Sequence, residues 1–144
     1  MPPEETEDIS IDMTQARTLE PLPPGRPYLM AVTAWTPGRS AAGGRKVHYE
    51  LTVAEPTDFA NRKVMEDLSL DNEYTLGRLM TLLLALGMEE DEVKTKSFKL
   101  PKEEDVLGLQ CTVFVRTESS EMYGDRSRIR RLRPASSYKE VVAY

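Results

Sequence analysis

The order of hydrophobic periodicities along the chain restricts its fold more than any other feature. Between Tyr28 and Pro134 the spacing of apolar residues has period two three times, then a helical period, then period two twice more. Tyr28 to Thr36 reads as the first strand, with Tyr28, Met30, Val32 and Ala34 on one face and Leu29, Ala31, Thr33 and Trp35 on the other. Lys46 to Val53 is the second, Val47, Tyr49, Leu51 and Val53 pointing inward and Lys46, His48, Glu50 and Thr52 outward. The Gly- and Ala-rich stretch from Pro37 to Arg45 reads as a flexible connector between them. Arg62 to Leu70 is the third strand, carrying Val64, Leu68 and Leu70 on one side.

Asp71 and Asn72 are N-cap residues. After them Leu76, Leu79, Met80, Leu83 and Leu86 recur at helical spacing until Gly87, which suits the position just past a helix end. Residues 88–105 form a charged link with one helical turn expected after Pro101. Leu109 to Thr117 is the fourth strand, with Leu109, Cys111, Val113 and Val115 inward and Phe114 and Arg116 outward, and Arg126 to Leu132 is the fifth. Three strands, a helix and two strands is the layout of a five-stranded Greek-key barrel of the OB type, mainly β, with its single helix between strands three and four. The domain expected is 21–134, preceded by a flexible acidic arm, 1–20, and followed by a tail, 135–144.

With 144 residues, 40% hydrophobic and 30% charged, the chain can fill one core and stay soluble. No apolar run approaches the ~20 residues of a membrane helix, and the start Met-Pro-Pro-Glu-Glu has no secretory signal, so a cytoplasmic setting is expected. Cys111, the only cysteine, reads as an inert core thiol. His48 is the only histidine, which leaves no multi-histidine metal site. No Gly-x-Ser-x-Gly elbow or Cys–His pair accompanies it. The loop 37–45 lacks the Gly-Lys-Ser/Thr ending of a P-loop and leads into a strand. The acidic run Glu89 to Glu92 has no EF-hand spacing. The expectation is a protein without catalysis, cofactor or metal.

The formal net charge of −5 conceals segregation. Six carboxylates against Arg17 place all of it in residues 1–20, leaving the rest balanced. Within that rest, Arg126, Arg128, Arg130, Arg131 and Arg133 cluster near the end. Local field, not the sum, decides whether a polyanion is attracted. The candidate contacts are Arg39, Arg45 and Lys46 around the first connector, Arg62 and Lys63 at the start of the third strand, Arg116 on the fourth, and Arg126, Arg128 and Arg130 in a row on the fifth with Ile129 opposite. Guanidiniums two strand residues apart sit about 7 Å from one another, near the phosphate spacing of an extended single strand. Trp35, His48, Phe114 and Tyr123 are the aromatic candidates for stacking on bases. Competing readings put Trp35 under the Pro-rich segment, Phe114 under the helix or in a dimer interface, His48 on an ordinary surface, and the arginines on an edge that deters strand pairing. Ile9, Ile11 and Met13 alternate in the arm and could add as an edge strand to a sheet, including that of a second copy.

Leu22-Pro23-Pro24-Gly25 before a Tyr-containing strand, the Gly-rich loop, the strand Val47 to Val53, Asn61-Arg62-Lys63-Val64, Leu83-Leu84-Ala85-Leu86-Gly87-Met88, Val106-Leu107-Gly108-Leu109 and Arg128-Ile129 together resemble a small phage-encoded family of OB-fold single-stranded DNA-binding proteins. The resemblance spans roughly 21–134 and implies sequence-tolerant binding of single-stranded DNA in phage replication or recombination, in the host cytoplasm, with a phage recombinase or annealing protein as a further partner. It supplies no binding residues position by position. The tail departs from that of cellular single-stranded DNA-binding proteins, which is acidic; here Lys139 offsets Glu140. The alternative function is a protein-interaction or structural module, such as a recombinase adaptor or virion component, that does not bind nucleic acid.

Overall fold

The computed structural model describes residues 8–11, 21–122 and 124–138. Most of the acidic arm, Tyr123 and the tail beyond 138 lie outside them. The protein is mainly β: one five-stranded antiparallel sheet in the order β3-β2-β1-β4-β5, with few helices. The strands are β1 (Pro27–Arg39), β2 (Arg45–Glu55), β3 (Lys63–Ser69), β4 (Gln110–Ser120) and β5 (Gly124–Pro134). The helices are α1 (Glu73–Ala85) and the single turns α2 (Glu90–Val93) and α3 (Glu103–Val106). All five expected strands and the expected helix are present.

The connector expected between the first two strands, Pro37 to Arg45, is strand at both ends. Pro37, Gly38 and Arg39 pair with Val47, Lys46 and Arg45, leaving a short hairpin loop over 40–44. The Ser40 amide donates to the Gly44 carbonyl at 2.8 Å, and Gly43 takes the left-handed conformation that closes the turn (φ 90°).

Inward residues of the sheet form the core: Tyr28, Met30 and Val32 on β1, Val47, Tyr49, Leu51 and Val53 on β2, Val64 and Leu68 on β3, and Cys111, Val113 and Val115 on β4 are all buried. Leu79, Leu82 and Leu83 of α1 complete it. Burial pushes the Cys111 thiol up to about 12, so it is an inert core group as expected. Leu109, expected inward, is exposed and precedes β4.

Helix α1 begins where the sequence signals it. The Asn72 side chain accepts from the amides of Tyr74 (2.8 Å) and Thr75 (3.3 Å), satisfying two donors that helix geometry leaves unpaired. It ends in a Schellman turn: Gly87 is left-handed (φ 108°), its amide donates to Leu84, and the Met88 amide donates to Leu83.

The sheet is open. No hydrogen bonds join β3 to β5, so the expected barrel closure is absent. Helix α1 instead packs against both edge strands, which protects them from pairing with other chains. Glu66 points inward from β3 and accepts from the Tyr49 hydroxyl at 2.6 Å and from Arg78 of α1. That network ties the β3 edge to the helix. Burial, reinforced by the Glu66 carboxylate, holds the Tyr49 hydroxyl well above its ordinary value.

Candidate functional site

Two of the three register shifts in the sheet decide where the candidate side chains face. The first is a register shift in β1 between Val32 and Ala34. A bulge inserts one residue and reverses the parity of everything after it. Trp35, expected outward, therefore enters the core at 1% exposure, beside the Tyr49 ring. Its Nε1 donates to the Pro101 carbonyl at 2.9 Å. The expectation that Trp35 stacks on bases is overturned, because no face of the indole is accessible.

The second shift lies between Phe114 and Val115, opposite Arg130 in β5. Ile129 pairs with Val115 and is buried, but Arg131 pairs with Phe114 and Arg133 with Thr112. The expected row Arg126, Arg128, Arg130 is thus broken at its third member. Arg126 and Arg128 share the outer face with Arg131 and Arg133, and Arg130 is the exposed extra residue of the bulge. Arg131 and Arg133 were visible as part of a basic cluster, but their facing depends on a bulge that period-two spacing does not encode.

The outer face of the β4–β5 ribbon is basic. The segment from Gln110 to Pro134 holds six arginines against three carboxylates, a surplus of three, and five of those arginines share the outer face. Glu118 organises one end. Its carboxylate receives Arg128 Nε at 3.1 Å and lies 3.5 Å from Arg116 Nη1 and 3.7 Å from Arg126 Nη2. Arg116 and Arg128 stand directly opposite in the register, an unfavourable pairing of like charges that Glu118 offsets. The hydrogen bond from Arg128, and then the three nearby guanidiniums, hold the Glu118 carboxyl below its ordinary range. Glu118 thus stands as one carboxylate among three guanidiniums. The sequence reading ends the fourth strand at Thr117 and puts Glu118 in the turn; β4 runs on to Ser120, which sets Glu118 two residues after Arg116 on the same face. Further along, Phe114 is half-buried with the Arg131 guanidinium 6.0 Å over its ring.

The remaining candidates divide among other surfaces. Arg39 Nη1 donates to the Gly43 carbonyl at 2.9 Å, within the β1–β2 loop. Arg45 makes a two-pronged ion pair with Asp71 through Nε (3.0 Å) and Nη2 (2.8 Å), joining that loop to the start of α1. On the outer face of β2 and β3, His48 Nδ1 lies 2.8 Å from Asp67, and Lys63 Nζ lies 3.2 Å from buried Glu50. Lys46 is half-buried on the same face. That face is nearly neutral, whereas the β4–β5 face is basic. Arg62 lies over the Phe59 ring at 5.2 Å. Tyr123 falls outside the described residues.

Among the described residues, no group of three or more His, Cys, Asp or Glu side chains is placed to hold a metal ion. None of their helices is long and apolar enough to cross a membrane. No protein-family model matches the chain, and no curated protein matches it.

Proposed function

We propose that this is a non-catalytic, sequence-tolerant single-stranded DNA-binding protein, and that the outer β4–β5 ribbon carries the nucleic acid. The observation that carries the reading is that Arg116, Arg126, Arg128, Arg131 and Arg133 share one strand-pair face with the half-buried ring of Phe114. Guanidiniums meet phosphates and also stack on bases, and an aromatic between them gives a base a platform. Arg39, Arg45 and Lys46 would extend the contact along the β1–β2 loop. The strand order β3-β2-β1-β4-β5, with a helix between β3 and β4 and with α1 bridging the two edges, supports an OB-type architecture left open at the β3–β5 seam. In this reading the protein coats or hands over DNA intermediates of phage replication or recombination in the host cytoplasm, beside a recombinase or annealing protein.

The test is anisotropy of labelled oligo-dT against a duplex of the same length, over a salt series. If about four to six phosphates are met, log K against log salt should slope at about −3 to −4, from roughly 0.7 per phosphate on single strands. A flat response, or tighter binding to duplex, overturns the proposal.

One observation favours a second reading, a protein-interaction module without nucleic-acid binding. Arg45, His48 and Lys63 are all turned to carboxylates of the same chain. Absence of any oligonucleotide affinity at low salt would select it.

A further inference from the structure

Apart from Arg45 at its edge, the groove beside α1 has no role in the nucleic-acid reading. It is about 460 Å³ in volume and is floored by Leu76, Met80 and Leu83 of α1 together with Phe98 and Leu100 of the segment that follows α2. Leu76 remains 42% exposed. The ionisable groups lining the groove are Lys96 and Arg45, the latter already paired with Asp71. Lys94, Lys99 and Lys102 are exposed on the same segment. An apolar floor with a cationic rim fits a short acidic segment whose apolar residues all turn one way.

The chain carries such a segment. Asp8-Ile9-Ser10-Ile11-Asp12-Met13 alternates apolar and polar residues, and the polar ones include two carboxylates. Ile9 and Ile11 are 82% and 72% exposed, so both side chains are open to a partner. In an extended segment, alternate residues stand about 6.7 Å apart. On the helix, Leu76 and Met80 are four residues apart, a rise of about 6 Å. The two spacings match closely enough for Ile9 and Ile11 to seat over successive positions on the α1 face.

We infer that the groove beside α1 receives the acidic arm of a second copy of this chain, with Ile9 and Ile11 in the groove and Asp8 and Asp12 toward the rim cations. A second copy is the occupant because, within one chain, Ile9 and Ile11 lie in solvent and not in its own groove. Reciprocal exchange of two arms gives a closed two-fold dimer. A docked segment this short buries far less than the roughly 1,200 Å² of a standard interface, so the dimer forms only as concentration rises. This inference is independent of nucleic-acid binding.

Sedimentation velocity of the full chain over a concentration series at low salt tests it. The expected result is a monomer–dimer shift that Ile9→Ser with Ile11→Ser weakens by more than about tenfold, the size expected for losing two buried isoleucines. Those positions are exposed, so the variant retains the fold. Lys96→Glu should weaken the dimer by up to about fivefold, and adding Asp12→Lys should restore it. Source is settled by cysteine pairs: Ile11→Cys mixed with a separate Thr95→Cys chain should form a mixed disulfide dimer under mild oxidation. A monomer at every concentration, a dimer indifferent to the isoleucine changes, or a cross-link that forms only within an Ile11→Cys/Thr95→Cys double-variant chain each overturns the inference.

Discussion

Trp35 shows how one inserted residue reassigns a side chain. Its indole is in the core, and its only polar atom is satisfied by the Pro101 carbonyl, which ties the segment before α3 to β1. Trp35→Ala should therefore destabilise the protein by about 3–5 kcal/mol in denaturant titration, the range for emptying a large aromatic site. Oligo-dT should leave the tryptophan emission unchanged in the parent protein; quenching with an unshifted unfolding midpoint in the variant would return Trp35 to the surface. Glu118 is the opposite case, a residue whose removal should improve binding. It stands among Arg116, Arg126 and Arg128 and stays ionised because Arg128 donates to it and the other two surround it. Glu118→Gln removes the competing charge. It should tighten oligo-dT binding at low salt and steepen the salt slope by about 0.7, one further phosphate met. Weaker binding by the variant would mean that Glu118 instead orders the arginines for contact.

At the scale of elements, most of the architecture was legible because period and punctuation agreed. The clean alternation from Val47 to Val53 is β2, the Asn72 cap and Gly87 stop bound α1, and Cys111, Val113 and Val115 face the core. What could not be read were the bulges at Val32/Ala34 and Phe114/Val115. A bulge changes the face of later residues without leaving a mark in composition. Trp35 and the Arg126 to Arg130 row were misplaced for that single reason. The open β3–β5 seam was also invisible, since closure depends on how α1 and the Glu66–Arg78 pair fill the space between edges.

The link between elements that pH should expose is Arg45–Asp71, which joins the β1–β2 loop to the start of α1. The side-chain hydrogen bond from Arg45, then its backbone amide, holds the Asp71 carboxyl below its ordinary 3.8. A carboxyl lowered in the folded state adds stability above its unfolded value, and that addition is lost as pH falls through the lowered value. The melting-temperature gap between the parent and Asp71→Asn should hold through neutral pH and close only below about 3.8. A gap that widens on acidification would rule the ion pair out as the cause.

Across the whole molecule, the basic ribbon of the proposed site was legible as charge segregation before it was legible as geometry. The sequence separates an acidic arm from a basic end, and the fold brings their attachment points together: the Leu22 amide donates to Ser127 Oγ of β5 at 2.7 Å, between Arg126 and Arg128 in the chain. The arm is therefore tethered to the strand that carries the arginines, from the face opposite Arg126 and Arg128, and its six carboxylates have a high effective concentration near the ribbon. If the ribbon binds nucleic acid as proposed, these carboxylates would compete with phosphate for the same guanidiniums. Deleting residues 1–20 should tighten oligo-dT binding at low salt, measured by anisotropy at protein concentrations below those of self-association. The gain should shrink as salt rises, since exposed charges a Debye length apart are screened. An arm that only docks on a second copy predicts a different outcome, a lost dimer with per-site affinity unchanged. Deletion that leaves both affinity and mass as they were removes the arm from either role.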